Sequence, residues 1–473
     1  MFGGFPQKNE RCLKEQEGVE KMKKVNVFVT VVLVVVAFSF VGVWDVMATG
    51  SEKEEEIIFT VAAFEGGYGV EWVHETARLL EEQHPGLKVE VTTDPRIWEK
   101  VQPMFVAGNP PDVVAPGWLF DHWGAISEGQ LKPLEDYLNT DAIDKDVPWI
   151  DTFPDGTFSA ATYEGHIYYI PLFPSFYGWW YNKTVWDQHG WTPPKTWDEA
   201  FKLFDEMKKA GIGPIANQGK YPMYLTYPYL TEFIARLAGQ KKLEACINLE
   251  PNSWTDPKVV EAFTFLKHLI DNYFQEGHLG MDHLQSQAEV MVGKAGVVAC
   301  GSWFPKEQEQ VWPEGDVIRA MPLPAFPDSP FPQNVYNKDH DSALLWVIPS
   351  ATKHEELAVE FLKLLTSEKM AKYTVENTGN PTTYKGSSKW LPDNKFGRAV
   401  ASCTAYYENA AYTIAKRETL ELWYPKVEAA LNDNLAKMEE GKATPEEVCA
   451  AVQAVADELR EDPNVLKHVF SLK

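Results

Sequence analysis

Positive charge is in short supply. Across 473 residues, 44 Lys and Arg stand against 68 Asp and Glu, a formal net charge of −24 at pH 7. Residues 1–48 are nearly balanced, so the excess belongs to the rest of the chain. A field of that sign repels phosphate backbones and anionic lipid head groups, which sets nucleic acid aside as a partner. Cysteine is scarce too, with Cys12, Cys246, Cys300, Cys403 and Cys449 and no CxxC. The four that follow the N-terminal segment could close up to two disulfides, which spacing alone does not pair. The familiar catalytic signatures are missing, with no GxSxG, HExxH, Walker loop or GxGxxG. His74–Glu75 and His354–Glu355 have no second His three positions on, so they read as solvated helix faces. A glycosidase-type carboxylate pair has no fixed spacing and stands as the enzyme alternative. There is no internal repeat and no low-complexity linker, only the Pro-rich crossing "AMPLPAFPDSPFPQNV" at 320–335.

One long apolar run is present. Met22, Lys23 and Lys24 precede "VNVFVTVVLVVVAFSFVGV", and "VMA" at 46–48 offers the small residues that a signal peptidase reads. Residues 1–48 are therefore expected to be a secretory signal that effectively starts at Met22. The length of the run keeps an uncleaved membrane anchor as the alternative. No Cys follows it and Cys12 lies on its wrong side, so no lipoprotein anchor is expected.

The remaining chain is long enough for two or three domains. "IIFTVAAF" reads as a buried strand. "VEWVHETARLLEEQHPG" aligns Val70, Val73, Ala77 and Leu80 on one helical face before a His-Pro-Gly stop. "LKVEVTT" then alternates as a strand, which completes a βαβ unit and implies a parallel sheet. "PDVVAP" at 111–116, "GVVAC" and "SALLWVIP" read as further strands. Capping boxes are predicted at Thr196/Glu199, Thr352/Glu355 and Thr444/Glu447, the last with Pro445 at the first helical position. The class is α/β.

Aromatic residues are plentiful, with 17 Trp, 19 Tyr and 25 Phe, more Trp than packing alone requires. Several fall in turns at strand ends, where open α/β sheets collect ligands. "FEGGYG" follows the first strand, and its glycines let backbone amides approach a ligand. "GWLFDHWG" sets Trp118, Asp121, His122 and Trp123 on a short loop, and "CGSWF" presents Trp303. An aromatic face beside a carboxylate suits a sugar ring, which has an apolar C–H face and a hydroxyl rim. Covering both faces of one ring buries roughly 100 Å², about 2.5 kcal/mol. A micromolar affinity needs about 8 kcal/mol, so rim hydrogen bonds and a second ring must contribute. The densest stretch, "YGWWYNKTVW" at 177–186, reads instead as a strand buried on both sides, Trp179 and Tyr181 facing one helix layer and Trp180 the other.

"GNPPDVV", "GHIYYIP", "WWYNKTVWDQHGWTPPKTWDEAFKLFDEMKKAGI", "VGKAGVVACGSW" and "VIPSATKHEELAVEFLKLLTSEK" resemble the extracellular sugar-binding proteins of ABC importers, in order over nearly all the chain past residue 48. The resemblance implies two α/β lobes joined by a hinge, a sugar in the cleft between them and closure on binding. It implies a monomer without catalysis, cofactor or metal, which hands an oligosaccharide to membrane permease subunits. The lobes would be 49–170 with 322–378, and 171–321 with 379–473. Crossings would fall near Ile170–Pro174, Met321–Pro324 and Thr378–Pro381.

"TTDPRIWEKVQPMFVAGNPPDVV", "GIGPIANQGKYPMY" and "MDHLQSQAEVMVGKAGVVACGSW" look like the subgroup that binds N-acetylglucosamine and diacetylchitobiose. "FPKEQ" after Trp303 departs from that subgroup's usual Leu-Glu-Asn-Glu-like stretch, which leaves a malto- or cello-oligosaccharide as the alternative ligand. Carried over by position, the ligand-binding residues implied are Glu65, Tyr68, Trp118, Asp121, Ser175, Phe176, Tyr177, Tyr221 or Tyr224, Trp303, Trp423 and Tyr424. Trp98 and Asn380 join them from loop position. Tyr221 and Trp423 read equally well as lobe core.

Overall fold

Eight consecutive apolar or small residues make Ile57–Phe64 (β1) a strand that can be covered on both faces. In the computed structural model, which describes residues 57–158, 161–329, 335–340, 344–408, 412–414, 420 and 423–469, Phe59, Val61, Ala62 and Ala63 are all buried. The apolar run at 25–43 and the expected cleavage site lie outside the described residues. The helix Glu71–Gln83 (α1) lays Trp72, Val73, Thr76, Ala77, Leu79 and Leu80 inward and ends at His84. The chain returns as Leu87–Asp94 (β2), parallel to β1 from Ile57↔Leu87 to Phe64↔Asp94. After the helix Ile97–Val106 (α2), Val113–Ala115 (β3) pairs with the other edge of β1, giving the order β2-β1-β3. Val114 also bridges Val347, which draws residues 344–348 into this lobe. Its core gathers residues 59–173 with 344–370, around Trp72, Trp149, Phe173 and Trp346.

The second lobe is built on Pro174–Asn182 (β4). Gly213–Ala216 (β5) and Ala295–Cys300 (β6) run parallel to each other, and β6 pairs antiparallel with β4. Ile318–Met321 (β7) and Val335–His340 (β8) pair antiparallel with other parts of β4, and Tyr412–Ile414 (β9) runs beside β8. Alternation along β4 sends Trp179 and Tyr181 into one buried cluster and Trp180 into another, where it meets Phe304. All three are buried as the strand pattern requires, and the indole N–H groups of Trp179 and Trp180 are bonded to the Tyr229 hydroxyl and the Cys300 carbonyl. The larger cluster holds residues 179–326 together with 420–459. Leu323 and Phe326 belong to it, whereas the Thr383 and Lys385 amides donate back to Leu172 and Thr152 of the first lobe. Cys246, Cys300, Cys403 and Cys449 are buried, and none of them is in a disulfide among the described residues.

Two of the three expected capping boxes differ from expectation. Thr444 and Glu447 form a full box ahead of Pro445. Thr196 accepts from the Glu199 amide, but Glu199 reaches back to the Lys195 amide at 2.7 Å rather than to Thr196. At 352–355 the box is not made, because His354 is the cap residue and Thr352 donates its hydroxyl to Asp112 at 2.6 Å. Asp112 also accepts from the Thr60 amide and hydroxyl, so one buried carboxylate ties β1 to the start of the helix Glu355–Leu365. Burial pushes its pKa up, but these hydrogen bonds from Thr352 and Thr60 prevail and hold it below the usual value.

Candidate functional site

The carboxyl ends of β1, β2 and β3 carry Glu65–Gly69, the turn before Trp98, and Gly117–Asp121. Their aromatic side chains meet in a row. Phe64 stacks on Trp98 with centroids 6.2 Å apart, and Trp98 meets Trp118 edge-on at 5.4 Å. Gly117 is required here: its φ is +87°, and an added Cβ would sit 2.8 Å from the Trp98 ring. The row then changes lobe, because Trp118 meets Tyr221 edge-on at 6.0 Å, and Tyr221 lies 5.7 Å from His283.

A second row runs through Trp303. Tyr68 stacks on Phe173 at 4.0 Å and meets Trp303 at 6.3 Å, while Trp303 also meets Tyr177 at 5.4 Å. Gly67 lets the first-lobe loop come this close, since a Cβ there would lie 3.0 Å from the Trp303 Cβ. Trp98, Trp118, Tyr221, Tyr224 and Trp303 are half-buried, whereas Tyr68 and Tyr177 are buried. Ser175 and Phe176 pair their backbones with Asp339 and Lys338, and their side chains, like that of Trp123, lie outside the described residues.

Other expected positions have structural partners. Asp121 is exposed and caps the short helix His122–Ser127, accepting the Gly124 amide at 2.8 Å. Glu65 is exposed and accepts from the Thr93 hydroxyl at 3.1 Å. Asn380 is buried and donates to the Thr378 carbonyl, but its Oδ1 has no partner. Tyr424 lies in the second-lobe core, and burial raises its pKa. Trp423 is half-buried and packs against the cores of both lobes.

Sequence reasoning passed over Gln218 and Ser302. They follow the parallel neighbours β5 and β6, and each is 1% exposed. Gln218 donates to the Ala299 carbonyl at 3.3 Å, and its own carbonyl accepts the Tyr221 amide at 2.7 Å. Yet among the described residues Gln218 Oε1 and Ser302 Oγ have no hydrogen-bond partner. A buried polar atom left unpaired costs about 1–3 kcal/mol, which a ligand group can recover. The only signal in the sequence was the amide pair in "ANQG" and the Ser in "CGSW". His283 is half-buried 3.8 Å from Glu307, and desolvation lowers its pKa.

The arrangement offers flat apolar faces from both lobes, with the buried Gln218 Oε1 and Ser302 Oγ just past the ends of β5 and β6 of the second lobe. Among the described residues no group of three or more His, Cys, Asp or Glu could hold a metal ion. Nor is any helix there long and apolar enough to cross a membrane.

Residues 65–372 match the family model described as bacterial extracellular solute-binding protein. The chain is 28% identical over 418 residues to the diacetylchitobiose binding protein NgcE of Streptomyces coelicolor, which covers 86% of each chain. Among solved structures, a chitin oligosaccharide binding protein superposes with a TM-score of 0.67 at 21% identity, over 84% of this chain and 98% of that one. The raffinose complex of the solute-binding protein RafE gives 0.67 at 19% identity, over 85% and 99%. At these identities the structural matches speak to the fold.

Proposed function

Because the chain belongs to the bacterial extracellular solute-binding proteins, we propose that it is the ligand-capturing component of a carbohydrate ABC importer, with diacetylchitobiose or N-acetylglucosamine held between its lobes. The observation that carries this is the meeting of rings from both lobes, Trp118 with Tyr221 and Tyr68 with Trp303, together with two buried polar atoms past the ends of β5 and β6, Gln218 Oε1 and Ser302 Oγ, that have no partner among the described residues. Trp118, Tyr221 and Trp303 supply faces for sugar rings. Gln218 Oε1 suits the N–H of an acetamido group, and Ser302 supplies a hydroxyl to its carbonyl or to a ring hydroxyl. An unacetylated malto- or cello-oligosaccharide would use the same faces. Glu65 and Asp121 offer remaining carboxylate lone pairs at the rim, and Tyr68, Tyr177, Trp98 and Asn380 support the platform from behind.

The ligand would be passed to membrane permease subunits by a monomer, with no chemistry done on it. Export would rest on residues 1–48 as a cleaved signal. The lobe division expected above is supported in outline by the separate cores. Leu323 and Phe326 pack in the second-lobe cluster, which supports a second crossing close after Met321–Pro324. The bonds from the Thr383 and Lys385 amides to the first lobe, and the packing of Ala399 in the second, support a third crossing that follows Thr378–Pro381.

Calorimetric titration of the exported protein with diacetylchitobiose, N-acetylglucosamine, cellobiose and maltotriose tests the reading. Binding of the acetylated sugars alone is expected. Binding only of an unacetylated sugar would keep the transport role and discard the acetamido assignment, and binding of none would discard the sugar.

A further inference from the structure

Trp423 is an expected ligand aromatic on whose face a ring of the C-terminal segment already lies. The imidazole of His468 lies on its indole with centroids 4.5 Å apart and planes 14° apart, the same ring-on-ring contact that a pyranose would make. His468 comes from the segment that follows the helix Pro445–Glu461. That segment is held in place rather than trailing. The Asp462 carboxylate accepts the Asn464 amide at 2.9 Å, and Lys467 donates to the Asp462 carbonyl at 2.7 Å. The side chain of Val465 packs on the second-lobe core, and the His468 amide donates to the Tyr424 hydroxyl at 2.9 Å. The imidazole also comes near the first lobe, where the Tyr163 ring of the hairpin Thr162–Ile167 stands 5.7 Å away, tilted by 44°. Burial lowers the His468 pKa to about 4, so the plate is neutral at physiological pH.

We propose that His468 is a specificity-determining residue that occupies the Trp423 platform and so limits the length of oligosaccharide the cleft accepts. The proposal rests on the sugar-binding reading above and sharpens it. With the imidazole lying on Trp423 and near Tyr163, a sugar chain held at Trp118, Tyr221 and Trp303 has no further platform at Trp423. Removing the imidazole frees one indole face and the gap beside Tyr163, and a longer chain gains a stacking site. A phenyl ring at the same position keeps the plate.

The test is a calorimetric series with chitin oligomers of two to five units on the wild-type protein, His468→Ala and His468→Phe. In His468→Ala the affinity for the longer oligomers relative to the two-unit sugar should rise at least tenfold, while His468→Phe keeps the wild-type ratio. An unchanged ratio in a His468→Ala protein that melts like the wild type would overturn the proposal. A uniform loss across all lengths would overturn it as well, since it would make His468 a ligand contact. If the wild-type protein ignores chitin oligomers but binds malto- or cello-oligosaccharides, the same ratio is read on that series, so the choice of sugar can fail without deciding the role of His468. If no oligosaccharide series binds, the sugar reading fails and this proposal fails with it.

Discussion

Two sets of tryptophans divide the molecule. Trp179, Trp180 and Trp186 lie at the middle and end of one strand and just beyond it, all 0–1% exposed, with indole N–H groups bonded to Tyr229, Cys300 and Gly296. Trp118 and Trp303 sit in turns past strand ends and Trp98 in the first turn of the helix Ile97–Val106, all half-buried and meeting other rings. The residue type is the same, and position along the strand decides what it does. A side chain inside a sheet is enclosed by the helices that cover both faces. One placed just past a strand end, as Trp118 and Trp303 are, meets a ring of the opposite lobe, which in the proposed site it would exchange for a ligand.

The largest effect should come from the first set. Trp180→Ala would leave a cavity beside Phe304 and free the Cys300 carbonyl of a partner. Such truncations cost about 3–5 kcal/mol, a large share of the stability of any domain. Denaturant unfolding would read the loss. A variant that stayed as stable as the wild type while failing to bind sugar would reverse the roles assigned to the two sets.

The same division separates neighbours in "GWLFDHWG". Asp121 is exposed, whereas His122 is 4% exposed, its Nδ1 facing the Phe120 carbonyl at 3.0 Å and its Nε2 unpartnered. Burial lowers the His122 pKa from 6.5 to about 4. The unfolded chain therefore takes up the proton first as pH falls. The contribution of His122 is whole above pH 6.5, shrinks as pH falls toward 4, and is gone below that. The full span is worth about 3 kcal/mol, of which about 2 kcal/mol or more is gone by pH 4.5. Unfolding free energies at pH 7 and pH 4.5 for the wild type and His122→Gln would show it, with the pH dependence flatter in the variant. Equal slopes would mean that His122 opens to water.

How much of this was legible follows from the same contrast. Buried strands announce themselves as unbroken apolar runs, so "IIFTVAAF" and "GWWYN" could be placed, down to which face each Trp occupies. The turn aromatics Trp118 and Trp303 were legible as exceptions to that pattern. What escaped depends on partners distant in sequence. The Thr352 hydroxyl is taken by Asp112, 240 positions away, which undid a capping box that was locally well formed. Gln218 and Ser302 look like ordinary turn residues until packing shows that each has a buried atom left unpaired. Tyr424 is adjacent to Trp423, but it is held in the core by helix packing and by the amide of His468, a contact no local spacing encodes.

The smallest expected effect is also the most specific to the second set. Trp303 meets Tyr68 of one lobe and Tyr177 of the other, and Gly67 and Gly301 have no room for a Cβ beside it. Its own half-burial means that truncation removes less packing than at Trp180, so Trp303→Ala should melt close to the wild type. Its effect should appear in binding, as a loss of about 2 kcal/mol or roughly thirtyfold in affinity, the scale of a central aromatic contact. Calorimetry and thermal unfolding on the same sample separate the two. Unchanged affinity would remove Trp303 from the site. A fall in stability as deep as that of Trp180→Ala would make it a core residue that happens to lie past a strand end, and the contrast between the two sets would then rest on Trp98 and Trp118 alone.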